Sequence, residues 1–315
     1  MKSLVVLGLT AICLCRSATV ARAQHRFVLQ GEKRLAIVDQ DGRLEWEMPW
    51  GGIHDLHVLV DGNILVQQGS AKVVEIDRKT RQIVWSYDSA TANGNAGKRV
   101  EVHSFQPLSD DRLMIAESGP ARIIEIDRQG KLLHEVRLQV DHPHPHTDTR
   151  LVRKLTNGNY LVCHEGDGVV REYDAAGKVV WKYEVPLFGE KPRGGHGPEA
   201  FGNKVFSAVR LPNGNTLIGT GNGHGVIEVT PGGNIVWQIR QHELPKITLA
   251  WVTTLEVLPS GNYVVGNCHA GPGNPLLIEI DPRLKQVMWQ YDGFAQFGNS
   301  VSNSQLLNLK TPSLR

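Results

Sequence analysis

The feature that most constrains this chain is a phrase it repeats six times: an apolar run, an acidic position, a short turn, then an apolar pair and, in five copies, Trp. The copies are AIVDQDGRLEW ending at Trp46, VVEIDRKTRQIVW ending at Trp85, IIEIDRQGKLLH ending at His134, VVREYDAAGKVVW ending at Trp181, GVIEVTPGGNIVW ending at Trp237 and LLIEIDPRLKQVMW ending at Trp289. A period of about 40–55 residues with strand patterning marks a propeller or solenoid, whose units bury their apolar faces only against one another.

A second phrase precedes each copy from the second onward: apolar strand, a turn centred on Gly-Asn, apolar strand. It reads HVLVDGNILV, FQPLSDDRLMI, RKLTNGNYLV, VRLPNGNTLI and LEVLPSGNYVV. Asn-Gly and Asp-Gly between apolar runs predict hairpin turns, because both residues tolerate positive φ. Each unit therefore reads as four antiparallel strands, and five full units run from His54 to Tyr291. The remaining pieces are complementary. Phe27 to Trp46 supplies strands two to four of a unit. Asn299 to Leu307 supplies a first strand, its VSNSQLL paralleling VHSFQPL at Val102 to Leu108. Pairing the two closes the ring and leaves no long free edge. The expected fold is all-β, a six-bladed β-propeller. The repeated Trp residues should pack between blades. Glu75, Glu125, Glu172, Glu228 and Glu279 recur with the repeat and are expected to be structural. The following Asp should cap its turn.

At the N-terminus, Lys2, the apolar stretch Leu4 to Leu14 and the small-x-small Ala21-Arg22-Ala23 form a secretory signal pattern, cut after Ala23. That stretch is too short to span a bilayer with ease. The expected organisation is a signal peptide over 1–23 and one propeller domain over 24–315, exported to a periplasmic or extracellular space. Two cysteines remain beyond the signal, Cys163 and Cys268, too few for a disulfide framework. A formal charge of +2 argues against a nucleic-acid or strong membrane-surface partner. A monomer with a small-molecule or glycan ligand is expected, with no integral membrane segment in the mature chain.

The Asp-x-x-(Thr)-Gly-x-x-Val-Trp wording resembles the repeat of quinoprotein-like propellers, named for PQQ-dependent alcohol dehydrogenases, and covers nearly all of the mature chain. Those dehydrogenases are longer, eight-bladed and carry an adjacent Cys-Cys pair. This chain has no such pair beyond residue 23, so PQQ is not expected. The stretch His54-Asp55-Leu56-His57-Val58-Leu59-Val60-Asp61-Gly62-Asn63 resembles the inner strand of six-bladed arylsulfate sulfotransferase-type propellers. That resemblance implies a His nucleophile that takes up a sulfuryl group, with other His and Arg residues holding its oxygens. The resemblance does not extend to that family's extra N-terminal domain. The repeats also resemble exported propellers of environmental bacteria, which imply no activity.

Histidines carry most of the remaining information, 13 in 315 residues. With units aligned on the turn Asn, the position nine before it holds His54, His103, Arg150, Phe206, Thr253 and Ser302. The position five after it holds Gln68, Glu117, His164, Thr220 and Asn267. The start of strand one and the end of strand two lie at the same end of an antiparallel blade, so both sets should gather at one mouth of the channel. Loops at that end add His142, His144, His146, His196, His224, His242 and His269. His54 and His103 are the expected nucleophile or base. Arg150 and His164 would hold an anionic group, and Glu117 would orient an imidazole. His57, Asn267, His269 and Trp251 complete the candidate ligand-binding set, Trp251 as a stacking platform for a sugar or aryl group. Clustered neutral imidazoles could instead hold a divalent metal, including two of the HPHPH histidines with Asp148, although the prolines should splay them. The stretch RGGHGPEAFGN around His196 reads as a lid. Group transfer, elimination or hydrolysis on an anionic or carbohydrate-like substrate stands beside a non-catalytic scaffold that binds protein or glycan.

Overall fold

The computed structural model describes residues 24–52 and 54–315; the expected signal segment lies outside the described residues. Six four-stranded antiparallel sheets follow one another along the chain. Their first strands, Leu56–Val58, Glu101–Pro107, Val152–Lys154, Ser207–Arg210, Trp251–Val257 and Ser304–Leu307, neighbour one another around the axis. The last of these belongs to the split sheet, where Ser304–Leu307 pairs with Arg26–Gly31, followed by Arg34–Val38 and Leu44–Pro49. Arg26 faces Leu307 and Leu29 faces Ser304. The chain is therefore a six-bladed β-propeller closed by its C-terminal strand, as the repeats imply. No helix among the described residues is long and apolar enough to cross a membrane.

The repeated phrases are the scaffold. Trp indoles donate across to the next blade's turn: Trp46 to the Arg78 carbonyl (2.8 Å), Trp85 to Arg128 (2.7 Å), Trp181 to Pro231 (3.0 Å) and Trp237 to Pro282 (2.7 Å). The repeated Glu stands across the sheet from this aromatic. It accepts the Asn side chain of its own blade's hairpin, as in Asn159 to Glu172, Asn215 to Glu228 and Asn262 to Glu279, each 2.6 Å. Asp39, Asp127 and Asp174 cap their turns by accepting two backbone N–H groups each. These contacts satisfy polar groups that burial would otherwise leave unpaired.

Two details differ from the simplest sequence reading. In the Gly-Asn hairpins only the glycine takes positive φ, +89° at Gly62 and +88° at Gly158. The Gly62 N–H bonds back to the Leu59 carbonyl, a turn followed by a left-handed residue. In the second blade Asp110 and Asp111 both carry positive φ instead. Second, the outermost strand of every blade bulges just before the aromatic position. The bulge turns the second member of the apolar pair outward, leaving Val84, Leu133, Val180 and Val236 about half exposed.

Candidate functional site

At the start of the first strands, His54, Arg150, Phe206, Thr253 and Ser302 line one cavity of about 420 Å³. All five come from the position nine before the turn Asn. The sixth, His103, sits directly behind His54, with ring centroids 4.3 Å apart and nearly edge-on. Its placement has a local cause: the inner strand bulges between Val102 and Ser104, so His103 has no partner across the sheet. Bulges of this kind re-aim side chains at sheet edges.

The walls are aromatic and cationic. His196 stacks on Trp251 at 5.2 Å and 22°, and lies 5.2 Å from the His269 ring. The Lys204 ammonium lies 5.9 Å from the Trp251 ring. The segment that carries His196 is pinned by an antiparallel bridge between Arg193 and Phe201. Burial, then the nearby His196, lowers the pKa of His269. Cys268 also lines the cavity, as a free thiol pushed up to about 12 by burial, which leaves it protonated and inert as a nucleophile.

Beneath this cavity the channel is filled by polar side chains. Asp55 accepts Arg153 (2.7 and 3.1 Å), Ser104 (3.1 Å) and Asn303 (2.6 Å). Burial alone would raise this carboxyl, but Arg153 and His57 outweigh it and hold it far below the carboxylate range. Arg315 enters from the far side and donates to the carbonyls of Leu56 and Ser304. The mouth is thus a blind pocket. A larger groove of about 820 Å³ runs past Asp141, Asp167 and Arg171. There Arg171 already bonds both carboxylates, so its donors are taken up within the protein.

Arg150 is 5% exposed. Its Nε donates to Glu165, its guanidinium packs 5.7 Å from the Phe206 ring, and its Nη1 is buried with no protein partner. His54 is half-buried, and its Nδ1 is also buried without a partner. Burial, followed by the charges of His103 and Arg150, holds the His54 pKa well below the usual imidazole value. His103 is lowered too, chiefly by burial and against the pull of Glu101. Its Nδ1 donates to the Thr149 carbonyl (2.9 Å) and its Nε2 lies 3.2 Å from Glu101 Oε2. His146 Nδ1 lies 2.7 Å from the same oxygen. These contacts, that of His103 foremost, hold Glu101 far below the carboxylate range.

The other sequence candidates lie away from the cavity, each held by bonds to other protein groups. His164 is fully buried between the Asp148 carbonyl (2.7 Å) and the Tyr173 hydroxyl (2.9 Å). Glu117 accepts Arg122 and Asn95 (2.6 and 2.9 Å) and orients no imidazole. Asn267 bonds the backbone of Thr248, Ala250 and Pro275. His57 lies below the polar plug on the Phe105 carbonyl, 2.8 Å away. For His164, Glu117 and Asn267 the reason is that the end of a second strand is covered by its two neighbouring strands, whereas the first strand alone faces the axis; His57 is on a first strand but lies three residues further along the chain than His54. The HPHPH histidines splay: His142 reaches Asp167 and His146 reaches Glu101. Asp148 is occupied by the backbone N–H groups of Gly119 and His144. Glu101, Glu165 and Lys204 were not singled out by the repeat alignment. Glu101 had a signal, two residues before His103 on a strand.

A family profile described as outer membrane protein assembly factor BamB, of the PQQ-like repeat type, matches residues 31–291. The chain belongs to that family. No curated protein sequence matches it. Among solved structures, a protein of unknown function from Bacteroides caccae is 22% identical, covering 91% of this chain and all of that one, with a TM-score of 0.72. A catalytically inactive virginiamycin B lyase from Staphylococcus aureus, solved with quinupristin, is 11% identical over 86% of this chain and 85% of its own, with a TM-score of 0.54. A streptogramin B lyase is 11% identical over 94% and 95%, at 0.56. At these identities the likeness is one of fold.

Proposed function

We propose that this member of the PQQ-like propeller family captures an anionic, ring-bearing small molecule in its blind mouth cavity, and that His54 exchanges a proton with it. The observation that carries the reading is Arg150. A buried guanidinium nitrogen without a partner leaves a strong donor unpaid at about 1–3 kcal/mol or more, and an anionic oxygen supplies what it lacks through a charge-assisted bond. Glu165 fixes the guanidinium plane from one side, which suits recognition of a sulfate, phosphate or carboxylate. Lys204 adds charge, and Trp251 with His196 forms a flat face for a ring.

His54 is the cavity imidazole with a free buried nitrogen, backed by His103. A base so placed serves group transfer, elimination or hydrolysis alike; the fold neighbours include lyases. Calorimetric titration with a panel of aryl sulfates, aryl phosphates and uronates tests the reading. Arg150→Lys should weaken the best ligand about 10-fold and Arg150→Gln about 100-fold, since one charge-assisted bond contributes about 1.5–3 kcal/mol. His54→Gln should leave affinity within a few-fold and abolish turnover. Binding that survives Arg150→Gln unchanged would rule the site out.

A second reading, a docking propeller, is favoured by one observation: Val84, Leu133, Val180 and Val236 stand exposed at the same bulge on successive blades. Replacing all four with Thr would abolish capture of a protein partner while leaving small-anion binding intact.

A further inference from the structure

We infer that Glu101, His103 and His146 form a binding site for a transition-metal ion of the zinc type at the wall of the mouth cavity. One ligand atom from each residue lies within 4.8 Å of the other two. Two imidazoles and one carboxylate are the donor set of three-ligand zinc sites, which keep a fourth position for water or substrate.

The hydrogen bonds select this set over an ordinary polar cluster. A carbonyl oxygen only accepts, so His103 Nδ1, 2.9 Å from the Thr149 carbonyl, carries the ring's proton. That leaves Nε2 as the ligating nitrogen, and it points at a carboxylate oxygen 3.2 Å away, Glu101 Oε2. The contact lies in a residue 2% exposed to water, and a cation placed there takes the Nε2 lone pair, the carboxylate oxygen and the second imidazole, His146, whose Nδ1 reaches the same oxygen. Zinc–ligand bonds of about 2.0–2.1 Å in a tetrahedron set neighbouring ligand atoms roughly 3.3 Å apart. The observed 3.2 Å already matches, and the 2.7 Å from Oε2 to His146 Nδ1 needs only a small opening of an exposed side chain.

The outer partners are in place as well. Metal-bound imidazoles usually donate their second N–H to a carbonyl or carboxylate, as His103 does to Thr149. The other oxygen of Glu101 accepts Arg99 at 2.8 Å, leaving Oε2 for the cluster. The charge of Arg150 nearby is offset by Glu165. His146 also lines the cavity, so an ion held there can offer its open position to an anionic oxygen.

The site is testable without any knowledge of the organic ligand. Tag-free protein, stripped with a chelator, is titrated with Zn²⁺ alone by calorimetry and with Co²⁺ by visible absorption. We expect one strong site, with an intense cobalt band that the aquo ion lacks. His146 lies on an exposed loop, so His146→Ala should keep the metal-free melting temperature while weakening Zn²⁺ by more than about 100-fold; outer-shell losses alone reach 10–100-fold. Glu101→Gln should do likewise. His142→Ala, on the same loop but paired with Asp167, should bind as the parent does. Equal Zn²⁺ affinity in the parent and His146→Ala, or equal loss in His142→Ala, overturns the inference. Because no anion is present, either outcome leaves the Arg150 test separate.

Discussion

His164 is fully buried with both ring nitrogens within hydrogen-bond distance of a partner, the Asp148 carbonyl and the Tyr173 hydroxyl. Burial pulls its pKa down to about 4, so the folded protein holds it neutral where an unfolded chain would take a proton. Its contribution is complete above a pH of about 6.5 and is lost as the pH falls toward about 4, a change of about 3 kcal/mol. Urea unfolding at pH 7 and pH 4.5 should show that loss in the parent and a smaller one in His164→Gln. Identical pH dependence in the two would contradict it. His54, of the same residue type, keeps a nitrogen with no partner at all. The repeat alignment could group such residues by offset from a turn, but only packing around each ring separates a satisfied filler from a free base. That is why His54, His103 and Arg150 gather at the cavity while His164 and Glu117, equally polar and one strand further out, do not.

On the scale of strands and blades, the phrase that ends in Trp is a joint. The indoles of Trp46, Trp85, Trp181 and Trp237 each bond a turn carbonyl of the neighbouring blade, and the residue before each bulges into solvent. Trp237→Phe should therefore cost about 1–2 kcal/mol by leaving the Pro282 carbonyl without its donor. Val236→Thr, one residue away, should stay within about 0.5 kcal/mol because that side chain is already exposed. Chemical unfolding of the pair checks the contrast, and equal effects would refute the bulge assignment. The strands and their order were legible because alternation and turns repeat six times. The bulges were not, because an apolar pair reads the same in sequence whether its members are buried or turned out. The bulge at His103, which matters most for the site, has no signal in the repeat.

Across the whole molecule, closure depends on one short strand. Ser304–Leu307 completes the split blade, and its loss exposes the edge of Arg26–Gly31 and an unsealed interface. A chain ending at Asn303 should lose cooperative unfolding and associate through that edge, visible by light scattering; a monodisperse, fully stable product would contradict ring closure. Closure and the plug around Asp55 together make the mouth a blind cavity, and the central claim is that this cavity holds an anion on Arg150. The most direct measurement is a calorimetric titration of nitrophenyl sulfate and nitrophenyl phosphate into the parent and Arg150→Gln, with folding verified for both. The expected result is saturable binding of at least one anion by the parent and a loss of about 100-fold in the variant. Equal affinity in the two proteins, or no binding of any aryl anion by the folded parent, would contradict it.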